Sequence, residues 1–134
     1  MIDCLILGDS IAVGTHLQRY ECTSYSKGGI NSANWNRDYL KNDLTAKTVI
    51  ISLGSNDYKG IRTKAELQRI REKVGTTAKV FWILPAIKPH IQEIVKDMAK
   101  EYGDTVVPIR HLQEDGVHPN LKGYREIANE TKVH

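Results

Sequence analysis

The chain has 134 residues, 40% of them hydrophobic and 26% charged, with a formal net charge of +3. That size and balance predict one globular domain with one core. No apolar run approaches the ~20 residues of a bilayer crossing, and the basic residues are scattered without interleaved aromatics, so neither a membrane span nor a nucleic-acid partner is expected.

The amino terminus runs from Met1 straight into an apolar segment, Ile2 to Leu7, with no basic stretch or small-residue cleavage site ahead of it. No signal peptide is read there, and a cytoplasmic location is expected. The segment itself reads as a buried strand, and Gly8-Asp9-Ser10 marks its turn into a helix. Two cysteines, Cys4 and Cys22, make no disulfide framework and read as reduced buried thiols.

A weaker edge strand is expected over Tyr20 to Ser26, where Tyr and Thr alternate with polar residues. Gly28-Gly29 follows. Val49 to Leu53 reads as the next strand and leads into Gly54-Ser55-Asn56-Asp57. Thr63-Lys64-Ala65-Glu66 has the form of a capping box, after which Leu67, Ile70 and Val74 line one helical face up to Gly75. Val80 to Leu84 is a further strand. Pro89 opens a helix carrying Ile91, Ile94, Val95, Met98 and Tyr102, closed by Gly103. The last strand spans Val106 to Ile109, and Asp115-Gly116-Val117-His118 precedes a final helix marked by Leu121, Tyr124, Ile127 and Ala128.

Strands alternating with helices predict an α/β fold, a three-layer α/β/α sandwich with a five-stranded parallel sheet in the flavodoxin-like order 2-1-3-4-5. No repeat, low-complexity segment or linker interrupts the chain, so residues 1–134 are read as a single domain.

Ser10, Asp115 and His118 are the side chains that serine nucleophilic catalysis requires: a hydroxyl, an imidazole to take its proton and a carboxylate to orient the ring. Open α/β sheets put ligand sites beyond the carboxyl ends of their strands, and Ser10, Gly29, Asn56 and His118 all follow expected strands. The four blocks, taken in order, resemble the SGNH hydrolases, the GDSL family of esterases and lipases, over the whole chain. The resemblance implies the same fold, Ser10 as nucleophile, His118 as base, Asp115 as its partner, and an oxyanion hole of Ser10, Gly29 and Asn56. Gly29 is preferred to Gly28 because the family's glycine usually precedes a short polar stretch, here Ile30-Asn31-Ser32; Gly28 stays open as an alternative.

No cofactor or metal is expected. His16, His90, His111 and His134 lack a carboxylate at matching spacing and read as exposed or structural. Asp9 and Asp57 read as carboxylates that shape turns or cap helices, and Trp35, Tyr39 and Tyr58 as packing residues near the mouth of the site.

Relatives of this type often carry long inserts before the His block. Here only Pro85-Ala86-Ile87-Lys88 and Arg110 to Glu114 fill those places, so an open shallow cleft is expected. Such a cleft suits an esterase removing a small acyl group, such as acetyl, from a carbohydrate through an acyl-enzyme. A thioesterase or lysophospholipase with the same three residues is one alternative, and a noncatalytic carbohydrate-binding or assembly module is another. The residues imply no oligomeric state.

Overall fold

A computed structural model describes residues 1–133. The elements are β1 (Ile2–Gly8), α1 (Ser10–Gln18), β2 (Thr23–Ser26), α2 (Ser32–Tyr39), β3 (Ala46–Ser52), α3 (Thr63–Val74), β4 (Lys79–Ile83), α4 (Pro89–Tyr102), β5 (Thr105–Val107) and α5 (Leu121–Glu130). The five strands form one parallel sheet in the order β2-β1-β3-β4-β5, as the sequence predicts.

Two cores explain the three layers. Successive side chains on a strand point to opposite faces, and the buried strands are apolar on both. Leu5, Leu7, Val49, Ile51, Val80 and Trp82 pack with Trp35, Leu67, Ile70, Val95 and Met98 from α2, α3 and α4. Their strand neighbours Cys4, Ile6, Ile50, Phe81 and Ile83 pack with Ile11, Ala12 and Ile127 from α1 and α5. Near-continuous hydrophobic runs are what a sheet covered on both sides demands.

Gly8 fixes the end of β1. Its φ is +145°, and a Cβ there would lie 1.9 Å from the Ser52 carbonyl oxygen, so no other residue lets β1 finish this close to β3. The Asp9 N–H then donates to that same oxygen at 3.0 Å, and the chain turns into α1.

Three expectations change. The capping box at Thr63 does not form: Arg62 occupies the cap position without a side-chain bond, and the Thr63 hydroxyl reaches Asp57 instead. Residues 32–39, to which the sequence assigns no element, form α2, whose N-terminus is capped by the Asn31 side chain on the Asn34 N–H at 2.8 Å. Cys4 and Cys22 are joined in a disulfide rather than reduced. Cys4 lies on β1 and Cys22 immediately before its parallel neighbour β2, with Cα atoms 4.7 Å apart, inside the range a disulfide spans. Among the described residues, no helix is long and apolar enough to cross a membrane.

Candidate active site

Three segments far apart in the chain meet at the carboxyl ends of the strands. Ser10 is the first residue of α1, directly after β1, because Asp9 takes the cap: its Oδ1 accepts from the Ile11 N–H at 3.0 Å. Ser10 Oγ lies 2.8 Å from His118 Nε2, and His118 Nδ1 lies 2.7 Å from Asp115 Oδ2. With Nδ1–H donated to the carboxylate, Nε2 is left as the acceptor for the serine hydroxyl.

The acid and the imidazole form a self-contained turn. Asp115 Oδ1 accepts from the backbone N–H groups of Val117 at 2.9 Å and His118 at 3.0 Å. Those two bonds, with the ring's own, hold the Asp115 carboxyl down at about 2, so it is ionised throughout the neutral range. The loop is pinned at its base by a bridge between Leu112 and Pro119, by Gln113 N–H on the His118 carbonyl at 2.8 Å, and by Asn120 N–H on the His111 carbonyl at 3.0 Å.

Asn56 stands in the loop after β3, and its Nδ2 donates to the Ile30 carbonyl at 3.1 Å. One hydrogen of that amide is thereby used to orient the group, and the other is left over. The loop itself is braced by Asp57, which is buried. Its Oδ1 accepts from the Ser32 N–H at 2.8 Å, and its Oδ2 from the Ser32 hydroxyl at 2.5 Å and the Thr63 hydroxyl at 2.7 Å. Asp57 therefore ties the first residues of α2 and α3 to the Asn56 loop, a cap role as expected but serving two helices.

Lys88 adds a brace that sequence reading overlooked. It is the one non-glycine residue with positive φ among those described, at +62°, and its Nζ donates to the Asp57 carbonyl at 2.6 Å. A lysine gives no signal for a left-handed conformation. The only cue was Pro89, which disfavours helical geometry in the residue before it.

Gly28 and Gly29 lie beside the serine. A Cβ on Gly28 would sit 4.0 Å from Ser10 Cβ, while Gly29 has φ +77° and open space around it. The N–H groups of Ser10, Gly28 and Gly29 have no acceptor among the described residues, so three donors are free near the serine hydroxyl. Both glycines remain compatible with an oxyanion role.

Asp9 is fully buried under the site. Ser52 Oγ donates to its Oδ1 at 3.1 Å, but its Oδ2 has no partner. Burial pushes its carboxyl from the ordinary 3.8 up to about 6, against the lowering effect of its bonds to Ser52, Ile11 and Ala12.

The remaining expected residues lie elsewhere. Trp35 is buried in the core with its Nε1 on the Tyr25 carbonyl at 2.9 Å, and Tyr39 stacks on Tyr25. Tyr58 is exposed. His16 bonds the Cys22 carbonyl at 2.9 Å and His111 pairs with Glu126 at 2.9 Å, a carboxylate the sequence spacing did not reveal. His90 is exposed at the start of α4, and His134 lies outside the described residues. Among the described residues no group of His, Cys, Asp or Glu has the arrangement of a metal site. A cavity of about 320 Å³ opens at the strand starts, beside Cys4, away from Ser10; its charged walls are already paired, Arg19 with Glu21 and Lys47 with Asp3.

No family model matches the sequence, and no curated protein is similar to it. Solved structures do match. A protein assigned as an acylhydrolase from Bacteroides fragilis superposes over 95% of this chain and 83% of its own, with a TM-score of 0.69 at 20% identity. A lipolytic protein of the G-D-S-L family from Veillonella parvula covers 97% and 96%, with a TM-score of 0.64 at 17% identity. The C-terminal catalytic domain of peptidoglycan O-acetyltransferase A from Streptococcus pneumoniae, solved with a methylsulfonyl adduct, covers 96% and 89%, with a TM-score of 0.67 at 17% identity. The chain has the fold these proteins share.

Proposed function

We propose that this chain is a serine ester hydrolase of the SGNH type, removing a small acyl group such as acetyl from a carbohydrate. The observation that carries the reading is the unbroken hydrogen-bonded run from Ser10 Oγ through His118 to Asp115, at 2.8 Å and 2.7 Å. The shared fold of acylhydrolase and lipolytic G-D-S-L structures supports it.

The chemistry follows from the geometry. His118 Nε2 removes the Ser10 proton as Oγ bonds to the acyl carbon, and the carbonyl electrons move onto oxygen. The negative oxygen is held by the backbone N–H groups of Ser10 and Gly29 and by the Asn56 amide, at the positive end of α1. Collapse breaks the bond to the alcohol oxygen, which takes the proton from the imidazolium. Water then gives a proton to Nε2 as its oxygen attacks the acyl carbon, and Ser10 Oγ leaves and regains that proton. The products are an alcohol and a carboxylic acid. Asp115, ionised at every working pH, favours the imidazolium that forms in both halves.

A small acyl group fits the short segments after β4 and β5, which offer little chain to wall a deep acyl groove. A fluorophosphonate probe bonds only to a serine whose proton has a base to go to, so wild-type protein labels and the Ser10→Ala variant does not. An unlabelled wild type overturns the reading. Nitrophenyl esters of rising chain length then report the acyl preference, with acetate expected to be turned over fastest.

A further inference from the structure

Beside the site lies a second cleft, of about 160 Å³, lined by Lys27, Gly28, Gly29, Ile30, Asn34, Arg37 and Asp38. Its wall is the same Gly28-Gly29 segment whose N–H groups are free, and Gly28 approaches Ser10 to van der Waals distance of a methyl group. Gly28 thus borders both the cleft and Ser10. We infer that the cleft binds an anionic group on the alcohol part of the ester, so that the substrate is an acylated acidic glycan. This inference rests on the hydrolase reading above.

Charge and geometry both point that way. Two cations and one carboxylate line the cleft, leaving an excess of one positive charge. Arg37 uses Nε and Nη2 to hold Asp38 Oδ1 and Oδ2 at 2.8 Å and 3.1 Å. That pairing fixes the plane of the guanidinium and leaves its Nη1 hydrogens without an acceptor among the described residues. Lys27, the residue after β2, also lines the cleft and makes no ion pair within 4 Å among the described residues, though its charge is felt at Asp38. A carboxylate from the substrate would meet the Nη1 group and the Lys27 ammonium together, with the Asn34 amide able to bond a neighbouring hydroxyl. A long apolar acyl chain would instead strand these polar groups without water.

The cations also suit the reaction. A substrate carboxylate near the forming oxyanion would oppose it, and Lys27 with Arg37 neutralises that charge where it would be felt.

The test is binding, which needs no turnover. Tri-galacturonate and the neutral mannotriose are titrated calorimetrically into wild-type protein, the Lys27→Met/Arg37→Met variant, and a Lys47→Met control near the start of β3, at the opposite end of the strands from Ser10. Wild type and the control are expected to bind tri-galacturonate and not mannotriose, with the double variant weaker by about tenfold, for the loss of two exposed charge contacts. In about 1 M salt, where the screening length falls to about 3 Å, the preference should vanish. Equal binding of the two sugars by wild type, or undiminished tri-galacturonate binding by the double variant, overturns the inference, as does binding of neither. Fluorophosphonate labelling is read on the same preparations: label without charge selectivity removes the cleft proposal alone, and charge selectivity without label removes the hydrolase reading alone. With active enzyme, O-acetylated polygalacturonate should be deacetylated with a lower KM than O-acetylated glucomannan, and the double variant should erase that difference.

Discussion

The buried carboxyl of Asp9 makes stability fall with rising pH, and replacing it by asparagine should remove that dependence. Asparagine keeps the shape and the cap: its Oδ1 can accept from the Ile11 N–H and the Ser52 hydroxyl as the aspartate does, and Asn is as good as Asp at this position. What it removes is the charge. A carboxyl at 3.8 in the unfolded chain and about 6 in the folded one keeps its proton longer when folded. Its stabilising effect is thus complete below 3.8 and lost as pH rises through 6. At ~1.4 kcal/mol for each factor of ten, the span amounts to ~3 kcal/mol. The Oδ2 site has no partner in either variant, so the orphaned amide costs ~1–2 kcal/mol at every pH and cancels from the pH difference. Urea unfolding of both proteins from about pH 3 to about pH 8 should show Asp9→Asn gaining on wild type by ~3 kcal/mol across that interval. Parallel stability curves would falsify the account of Asp9 as a charge held out of water.

Asp115→Asn retains an oxygen for the Val117 and His118 N–H groups, so the turn survives, but an amide facing Nδ1 reverses the ring's hydrogen-bond role; kcat should fall by about 10³–10⁴. A loss under tenfold removes Asp115 from the mechanism. Asn56→Ala should leave a folded enzyme with kcat lowered by about 10²–10³, and unchanged turnover takes Asn56 out of the oxyanion hole. At Lys88, methionine keeps the left-handed backbone and loses the bond to the Asp57 carbonyl, whereas glycine loses the bond and relieves ~1–2 kcal/mol of strain; urea midpoints should rank wild type first, Lys88→Gly second and Lys88→Met last, and a Met variant above Gly contradicts the strain. Replacing Cys4 and Cys22 together by serine opens a loop closed across a separation of 18 residues and should cost ~3 kcal/mol. Wild-type protein unfolded without reductant should expose no free thiol; two titratable thiols would restore the reduced pair.

What the sequence disclosed was whatever local chemistry decides. Apolar runs such as Val49 to Leu53 announce a strand buried on both faces, and Pro89 with Gly103 brackets α4, because these signals act within a few residues. The terminal block was legible for the same reason: Asp115 reaches His118 inside one turn. Long-range satisfaction was not legible. Thr63 looks like a cap by its neighbours, yet its hydroxyl belongs to Asp57, which also claims Ser32 on another helix. α2 was missed because its apolar face is essentially Trp35 and Tyr39, too short a periodic signal, and its cap depends on Asn31. The disulfide was misread because spacing alone cannot show that the residue just before β2 comes to lie beside Cys4 on β1.

One distance decides whether these parts make an enzyme, and it is set by helix packing rather than by the triad itself. Asp115 and His118 form a rigid local unit, so only the Ser10 to His118 contact spans the chain. Ser10 opens α1 and the His118 loop is fastened to the start of α5, through Asn120 and the His111 carbonyl. The gap between nucleophile and base is therefore the gap between those two helices. Two glycines set it: a Cβ on Gly14 would lie 2.3 Å from the Tyr124 ring of α5, and one on Gly123 would lie 2.3 Å from the His111 carbonyl. A methyl group at Gly123 meets backbone and must push α5 or its loop outward, whereas one at Gly14 meets the Tyr124 ring first, and a displacement of ~1 Å at a reacting pair costs on the order of 10²-fold in rate. Residues outside the Ser10–His118–Asp115 run thus hold the Ser10 hydroxyl in reach of the His118 ring.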